Sequence, residues 1–268
     1  EALKGKPMYE YSDVAVQVNI IAMLRRAAKA STETLEGGQE LGLRVMELAV
    51  GCCKVGQLAP LSPASLVAGR PETARACVLP ALGEVCTAAL QQLQAGGSAE
   101  AAIPVLDLAS GLAASVGDEL FQSQHMAMLT QLCVFAMGSS QQEVLKPALL
   151  FLQKLLMSRV AGLGEHDVGS IVQAVLVHFH SWPRSIGGQS FKVFCAIAER
   201  YEAALVQLVA APAAIPSLAG LPPGEQLLAQ RAFQKLRGPR LRAFLGDLAS
   251  VARSENTIDV LQAYAVER

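Results

Sequence analysis

Regular helix-breaking punctuation restricts the fold of this chain more than any other feature. Turn signals cut it into apolar stretches of helical length, and paired stretches begin near Pro71, Asp118 and Asp167, 47 and 49 residues apart. The pattern predicts one helix from Pro71 to Leu93, and Gly96-Gly97-Ser98 turns the chain into a partner over Ala99 to Val116. The next helix starts at Asp118, carries Phe121, Leu129, Leu132 and Ala136, and stops at Gly138. Ser140-Gln141-Gln142-Glu143 has the order of a capping box, where serine and glutamate each satisfy a free backbone N–H of the other. It opens a return helix with Leu145, Leu149, Leu152 and Leu156 on one face. The third pair takes Asp167 to His178, then Phe191 to Val209 with Phe191, Phe194, Ile197, Tyr201, Leu205 and Leu208 in register.

The same grammar holds on both sides. Ser12-Asp13 caps a stretch with Val14, Val18, Ile21 and Leu24, ending in Arg25, Arg26 and Lys29, where cations suit the helix dipole. Gly37-Gly38 breaks it, Leu41, Val45, Leu48 and Cys52 begin a second helix, and Pro60 to Pro71 reads as a loop. After the third pair come Glu225 to Arg237, a tight Gly238-Pro239 corner, Leu241 to Arg253, and a short helix from Thr257. Pro80, Pro104 and Pro147 fall inside helical patterns and read as kinks. A helix pair alone is too thin to bury its apolar face, so neighbours must stack into one core. The spacing sits at the upper end of the roughly 40–47 residues of HEAT and armadillo repeats. The expected fold is therefore all-α: a right-handed superhelical solenoid of HEAT-like antiparallel helix pairs, with residues 1–268 as one segment. A globular helical bundle also accounts for the helices, but not for their even spacing.

Composition agrees. With 52% hydrophobic and 17% charged residues, disorder is excluded. Aromatics make up only 5%, so alanine and leucine, both strong helix formers, carry the core. A net charge of −1 gives no global attraction to nucleic acid or an anionic membrane, and neither is expected as a direct partner. Two long stretches lack charge. Residues 203–224 contain Pro212, Pro216, Pro222 and Pro223, and residues 120–142 contain Gln122, Ser123, Gln124, His125, Thr130 and Gln131, so neither suits a bilayer. No signal or transit sequence opens the chain, and the initial Glu1 leads us to expect a part of something longer.

The residues offer little chemistry. Cys52, Cys53, Cys77, Cys86, Cys133 and Cys195 occupy apolar positions without repeated C-x-x-C spacing and read as free thiols in a reducing compartment. Lys54 is the only base beside Cys52-Cys53, too little to activate a thiol. No phosphate-binding glycine loop, nucleophile elbow or H-E-x-x-H is present. His178 and His180 are two apart and point to different sides of a helix, while His125 and His166 have no partner at ligand spacing. Asp118-Glu119 reads as a helix start. We expect no catalytic residues, no metal and no cofactor, and thus no enzyme.

Two places suggest binding. Arg231, Lys235, Arg237, Arg240 and Arg242 crowd the Gly238-Pro239 corner without an acid among them. They read either as a solvated outer face or as a docking patch for an acidic partner, where arginine forks suit carboxylate or phosphate. Reversing the charge of Arg237, Arg240 and Arg242 is expected to leave stability nearly untouched. The loop Ser181 to Gly188 holds the only tryptophan, Trp182, followed by Arg184. Trp and Arg together are frequent interface anchors, and such a Trp also commonly covers the end of a core.

The stretch Ser185-Ile-Gly-Gly-Gln-Ser-Phe-Lys-Val-Phe, the Pro-rich segment 211–224 and the run from Glu225 through Gln-Lys-Leu-Arg-Gly-Pro-Arg-Leu-Arg to Asp247-Leu-Ala resemble the C-terminal end of the importin-β superfamily. The block Leu120 to Ser158, with Phe151-Leu-Gln-Lys-Leu-Leu, is similar to the same family, within it to the importin-thirteen and transportin-SR branch. The resemblance covers about Asp118 to Arg253 and is generic before that. It implies a nuclear transport receptor whose superhelix wraps protein cargo under the control of the GTPase Ran. Such a receptor also meets nucleoporins and shuttles between cytoplasm and nucleus. The family's main Ran-GTP site lies in N-terminal repeats that this chain lacks, so the resemblance implies a C-terminal arch. It implies no catalytic residues, and only a basic C-terminal surface for cargo. The same fold serves HEAT-repeat scaffolds and adaptors unrelated to transport, such as phosphatase scaffolding subunits or tubulin-folding cofactors, and also helical accessory domains of enzymes.

Overall fold

Alanine and leucine spaced at helical intervals, with glycine and proline at the joints, produce helices and no strand among the described residues. The computed structural model describes residues 71, 74–75, 79–94, 96, 99–159 and 163–265. The helices expected from Ser12 to Cys52, the loop before Pro71, and Cys52, Cys53 and Cys77 lie outside the described residues.

The described chain falls into two compact parts, the first running to Leu132 and taking in Ser158 and Arg159 as well, the second holding Cys133–Met157 and everything from Leu163. The first contains α1 (Leu79–Gln94), a 3-10 turn (Ala99–Ala102), α2 (Ile103–Ser115), α3 (Gly117–Phe121) and the start of α4 (Met126–Met137). Its core is aliphatic, with Leu82, Ala89, Leu106, Leu112 and Leu129 all fully buried. Arg75 grips Glu119 through Nε and Nη2 at 2.7–3.1 Å. That pairing holds the Glu119 carboxyl below its ordinary range. Gly83 serves close approach here, since a Cβ at that position would stand 2.8 Å from the His125 ring.

The second part continues with α5 (Gln142–Met157), α6 (Glu165–His178), 3-10 turns at Phe179–Ser181 and Arg184–Ile186, and α7 (Gly187–Arg200). Then follow α8 (Glu202–Val209), a 3-10 turn (Pro212–Ala214), α9 (Pro216–Ala219), α10 (Pro223–Lys235), α11 (Gly238–Ala252) and a 3-10 segment (Ile258–Tyr264). Helix α7 packs on both α5 and α11, while α8 packs on both α6 and α10. The helices thus form two rows, and α9 and the 258–264 segment join them through α11. One run of ring contacts threads this core. Phe179 meets Phe194 at 5.4 Å, Phe194 meets Phe233 at 6.3 Å, Phe233 meets Phe244 at 5.2 Å, and Phe244 meets Tyr264 at 5.5 Å. Three of the four are edge-to-face, the arrangement favoured by the ring quadrupole.

Several boundaries differ from the sequence reading. The helix expected from Asp118 to Gly138 is two helices. Between them the Ser123 hydroxyl donates to Leu120 O (2.7 Å) and accepts the His125 N–H (3.4 Å), local bonds that compete with the helical ladder. The helix expected from Phe191 to Val209 begins at Gly187 and breaks at Tyr201, whose backbone is neither helical nor extended (φ −129°, ψ 34°). The break lets α8 leave the row of α7 and settle between α6 and α10. The capping box did not form as expected. Ser139, one residue earlier than Ser140, supplies a hydroxyl to the Gln141 N–H (3.1 Å), and the helix starts only at Gln142. Pro104 is the second residue of α2, a start where the missing N–H costs nothing, so the kink reading fails there, while the residues just before Leu79 that would decide it for Pro80 lie outside the described ones. Pro147 does lie inside α5. Pro212 and Pro216 open short helical turns in a segment that reads as loop, and Pro223 opens α10 two residues before the expected Glu225. Leu145, Leu149, Leu152 and Leu156 are buried as the spacing predicts.

Candidate binding cleft

The end of α6 delivers the chain into the loop that holds Trp182. The residue before a proline favours extended backbone, and Trp182, ahead of Pro183, has φ −72° and ψ 146°. Its indole Nε1 donates to Met137 O at 2.9 Å, and the side chain is only 4% exposed. Ser185 Oγ donates to Gln142 Oε1 at 2.5 Å, so the loop is pinned on both sides of Pro183. Trp182 is therefore the core cover that its aromatic bulk suggested, and it also forms one wall of a cavity.

That cavity, about 340 Å³, lies between the loop, the start of α7 and one face of α11. Phe179, Trp182, Phe194, Leu245 and Ala249 form its buried lining. Arg184 and Arg242 line it as exposed residues, and Arg253 as a half-buried one. The Arg242 guanidinium stands 5.8 Å from the centre of the Phe191 ring, a cation–π contact, and forms no salt bridge among the described residues. Arg184 Nη2 and Arg253 Nη2 both reach Glu255 Oε2, at 2.8 and 3.0 Å, and Arg253 Nη1 donates to His180 O at 2.7 Å. Hydrogen bonding from Arg253, then from Arg184, holds the Glu255 carboxyl below its ordinary range.

The C-terminus of α11 sets where Glu255 stands. Ser254 N–H donates to Val251 O (2.9 Å) and Glu255 N–H to Ser250 O (2.8 Å), the paired bonds of a Schellman cap. Ser254 holds φ +58°, the left-handed position that glycine usually fills. The tight reversal turns Glu255 back toward the arginines.

Of the residues singled out in the sequence, Trp182, Arg184 and Arg242 come together here, while Arg231, Lys235, Arg237 and Arg240 do not line the cleft. Arg237 is a structural residue. Its Nη1 donates to Phe233 O (3.2 Å) and Leu236 O (2.7 Å) at the end of α10, and its Nη2 reaches Glu202 at 3.3 Å. Sequence reasoning missed Arg253, Phe191 and Gly246. The signal was present in α11, where Arg242, Gly246, Ala249 and Arg253 follow at helical spacing and put two arginines on one stripe with small residues between.

A second, larger opening of about 890 Å³ lies between α6 and α8, lined by residues such as Glu165, His166, Gln173, Tyr201, Ala204 and Gln207. No group of three His, Cys, Asp or Glu among the described residues could hold a metal. Burial lowers the pKa of His125, His178 and His180. Cys86 and Cys133 are buried thiols and Cys195 a half-buried one. Burial pushes the Cys86 thiol up to about 12 and raises Cys195 as well, the opposite of nucleophile activation. No described helix is long and apolar enough to cross a membrane. No family model matches the chain, and comparison with curated proteins and with solved structures yields no match either.

Proposed function

We propose that this chain is a non-catalytic helical-repeat segment that binds a protein partner, as the C-terminal part of a nuclear transport receptor of the importin-β kind. The observation that carries the reading is the pair of helix rows, α5–α7–α11 beside α6–α8–α10. Such rows arise when antiparallel pairs stack on their neighbours, and continued stacking makes a right-handed superhelical solenoid with a long surface for a partner. The resemblance of Asp118 to Arg253 to transport receptors supplies the class of partner: protein cargo under Ran control, with shuttling between cytoplasm and nucleus. The cleft adds aromatic and arginine side chains of the kind that dominate protein interfaces. A scaffold or adaptor for a constitutive complex would use the same rows.

Affinity isolation with the full-length protein separates the two, using extract with and without Ran bound to a non-hydrolysable GTP analogue. A transport receptor changes its bound proteins when Ran-GTP is added and is found in both cytoplasm and nucleus. An unchanged set of partners returns the chain to the scaffold reading.

A further inference from the structure

We propose that the cleft between the Trp182 loop and α11 receives an acidic peptide segment with an aromatic anchor, and that Glu255 is its built-in competitor. The inference rests on the reading of this chain as a protein-binding segment and names what one part of it binds.

Charge gives the first half of the argument. Among the described residues three guanidinium groups line the cavity and no carboxylate does, with Glu255 at its edge engaged by two of them. Arginine forks pair with carboxylates in fixed planar geometry. Arg242 stands over the face of Phe191 and forms no salt bridge among the described residues; a cation–π contact, unlike a salt bridge, does not use up the guanidinium N–H groups. Arg184 and Arg253 already share one carboxylate oxygen, so this edge demonstrably accommodates the group that an aspartate or glutamate would bring.

Shape gives the second half. Phe179, Trp182 and Phe194 make the buried lining aromatic, and Gly246 keeps the α11 wall open, with nothing within 4 Å of where its Cβ would stand. Aromatic rings prefer edge-to-face and offset contacts with one another, so an aromatic side chain suits this lining better than an aliphatic one. An anchor ring between flanking carboxylates meets both features, the ring on the lining and the acids on Arg242 and on the arginines now held by Glu255. Glu255 occupies its place because the Schellman turn of α11 aims it there, so an incoming carboxylate must displace it from Arg184 and Arg253.

Trp182 is the only tryptophan in the chain, so its fluorescence reports on this cavity alone. The experiment titrates the 268-residue chain with an acetylated, amidated Asp-Glu-Phe-Asp-Glu peptide, beside Lys-Lys-Phe-Lys-Lys and Asp-Glu-Gly-Asp-Glu controls. The acidic phenylalanine peptide shifts Trp182 emission saturably, the glycine peptide binds more weakly, and the basic peptide gives no shift. Arg242→Glu weakens binding about tenfold, as expected when a close charge pair turns repulsive. Glu255→Gln strengthens it several-fold by freeing Arg184 and Arg253. Circular dichroism verifies the fold of each variant, with Arg242→Gln in reserve should the reversal unfold the protein. A silent Trp182, an equal response to the basic peptide, or equal affinities in wild type and both variants overturns the proposal. If Ran-sensitive partner capture survives such a result, the cleft inference falls alone. If peptide binding holds while capture ignores Ran-GTP, the transport reading falls and the cleft stands.

Discussion

The arginine cleft and the open groove between α6 and α8 belong to the same compact part of the molecule and differ in almost every respect that matters for binding. The groove is the larger, about 890 Å³ against about 340 Å³. Its walls mix small residues such as Ala203, Ala204 and Ala211 with aliphatic and polar ones, and among the described residues no Phe or Trp lines it. Arg200, its single arginine, spends a guanidinium N–H on Leu156 O at 3.4 Å. The cleft is smaller but brings four aromatic rings and three guanidiniums to one place. Volume alone does not define a site; convergence of polar groups on an apolar lining does. The origins of the two openings explain the contrast. The groove exists because α7 breaks at Tyr201 and a short eight-residue helix fills the row. The cleft exists because an extended, proline-stiffened loop crosses a stripe of α11 that alternates arginine with small residues.

The largest effect that could break this contrast is at Trp182. Its replacement by alanine removes a buried ring and the bond to Met137 O, and should cost about 3–5 kcal/mol in urea unfolding. Gln207→Ala on the groove wall is exposed and should stay within about 0.5 kcal/mol. Equal costs would mean that the cleft wall is no better anchored than the groove.

A middle-sized effect sharpens the division among the basic residues. Arg237→Ala leaves the Phe233 and Leu236 carbonyls without their guanidinium donor and should destabilise by about 1–2 kcal/mol. Arg240→Ala, an exposed residue, should move the melting temperature barely at all. A difference between the two melts would break the sequence-based expectation that Arg237, Arg240 and Arg242 are alike silent in stability; two identical melts would keep it.

The smallest effect is the most diagnostic. Gly169 in α6 lines the groove and Gly246 in α11 lines the cleft, each helical with open space where a Cβ would go. Alanine at either position should stabilise by about 0.5–1 kcal/mol through helix propensity and unfolded-state entropy. Gly246→Ala should also narrow the cleft and weaken the Trp182 response to the acidic peptide, whereas Gly169→Ala should not. An equal peptide response in both variants would show that the α11 wall takes no part in binding.

Helix character and the core face were legible in the sequence. Leu145, Leu149, Leu152 and Leu156, and later Phe233, Phe244 and Leu248, are buried where 3.6-residue periodicity puts them, because a helix keeps one face over its whole length. The Gly238-Pro239 corner and the helix end at Gly138 were legible for local reasons: Gly238 holds φ +56°, a conformation few other residues adopt, and glycine's low helix propensity marks the end at Gly138. Breaks made by ordinary residues were not. Ser123 and Tyr201 carry no obligatory turn signal, and only the competing side-chain bond at one, and the packing of α8 between α6 and α10 at the other, interrupt the helix.

The site divides along the same line. The sequence by itself determined which residues could bind, namely a tryptophan and arginine loop and a basic stretch near the last corner, since those follow from side-chain chemistry. Only the tertiary structure decided which of them meet. It drew Arg242 and Arg253 to the Trp182 loop, used Arg237 to tie off the end of α10, and set Glu255 against Arg184 from 71 residues away. The physical reason is range. Helix periodicity and turn preference act over a few residues, whereas a guanidinium and a carboxylate so far apart in sequence are brought together only by the packing of the helices between them.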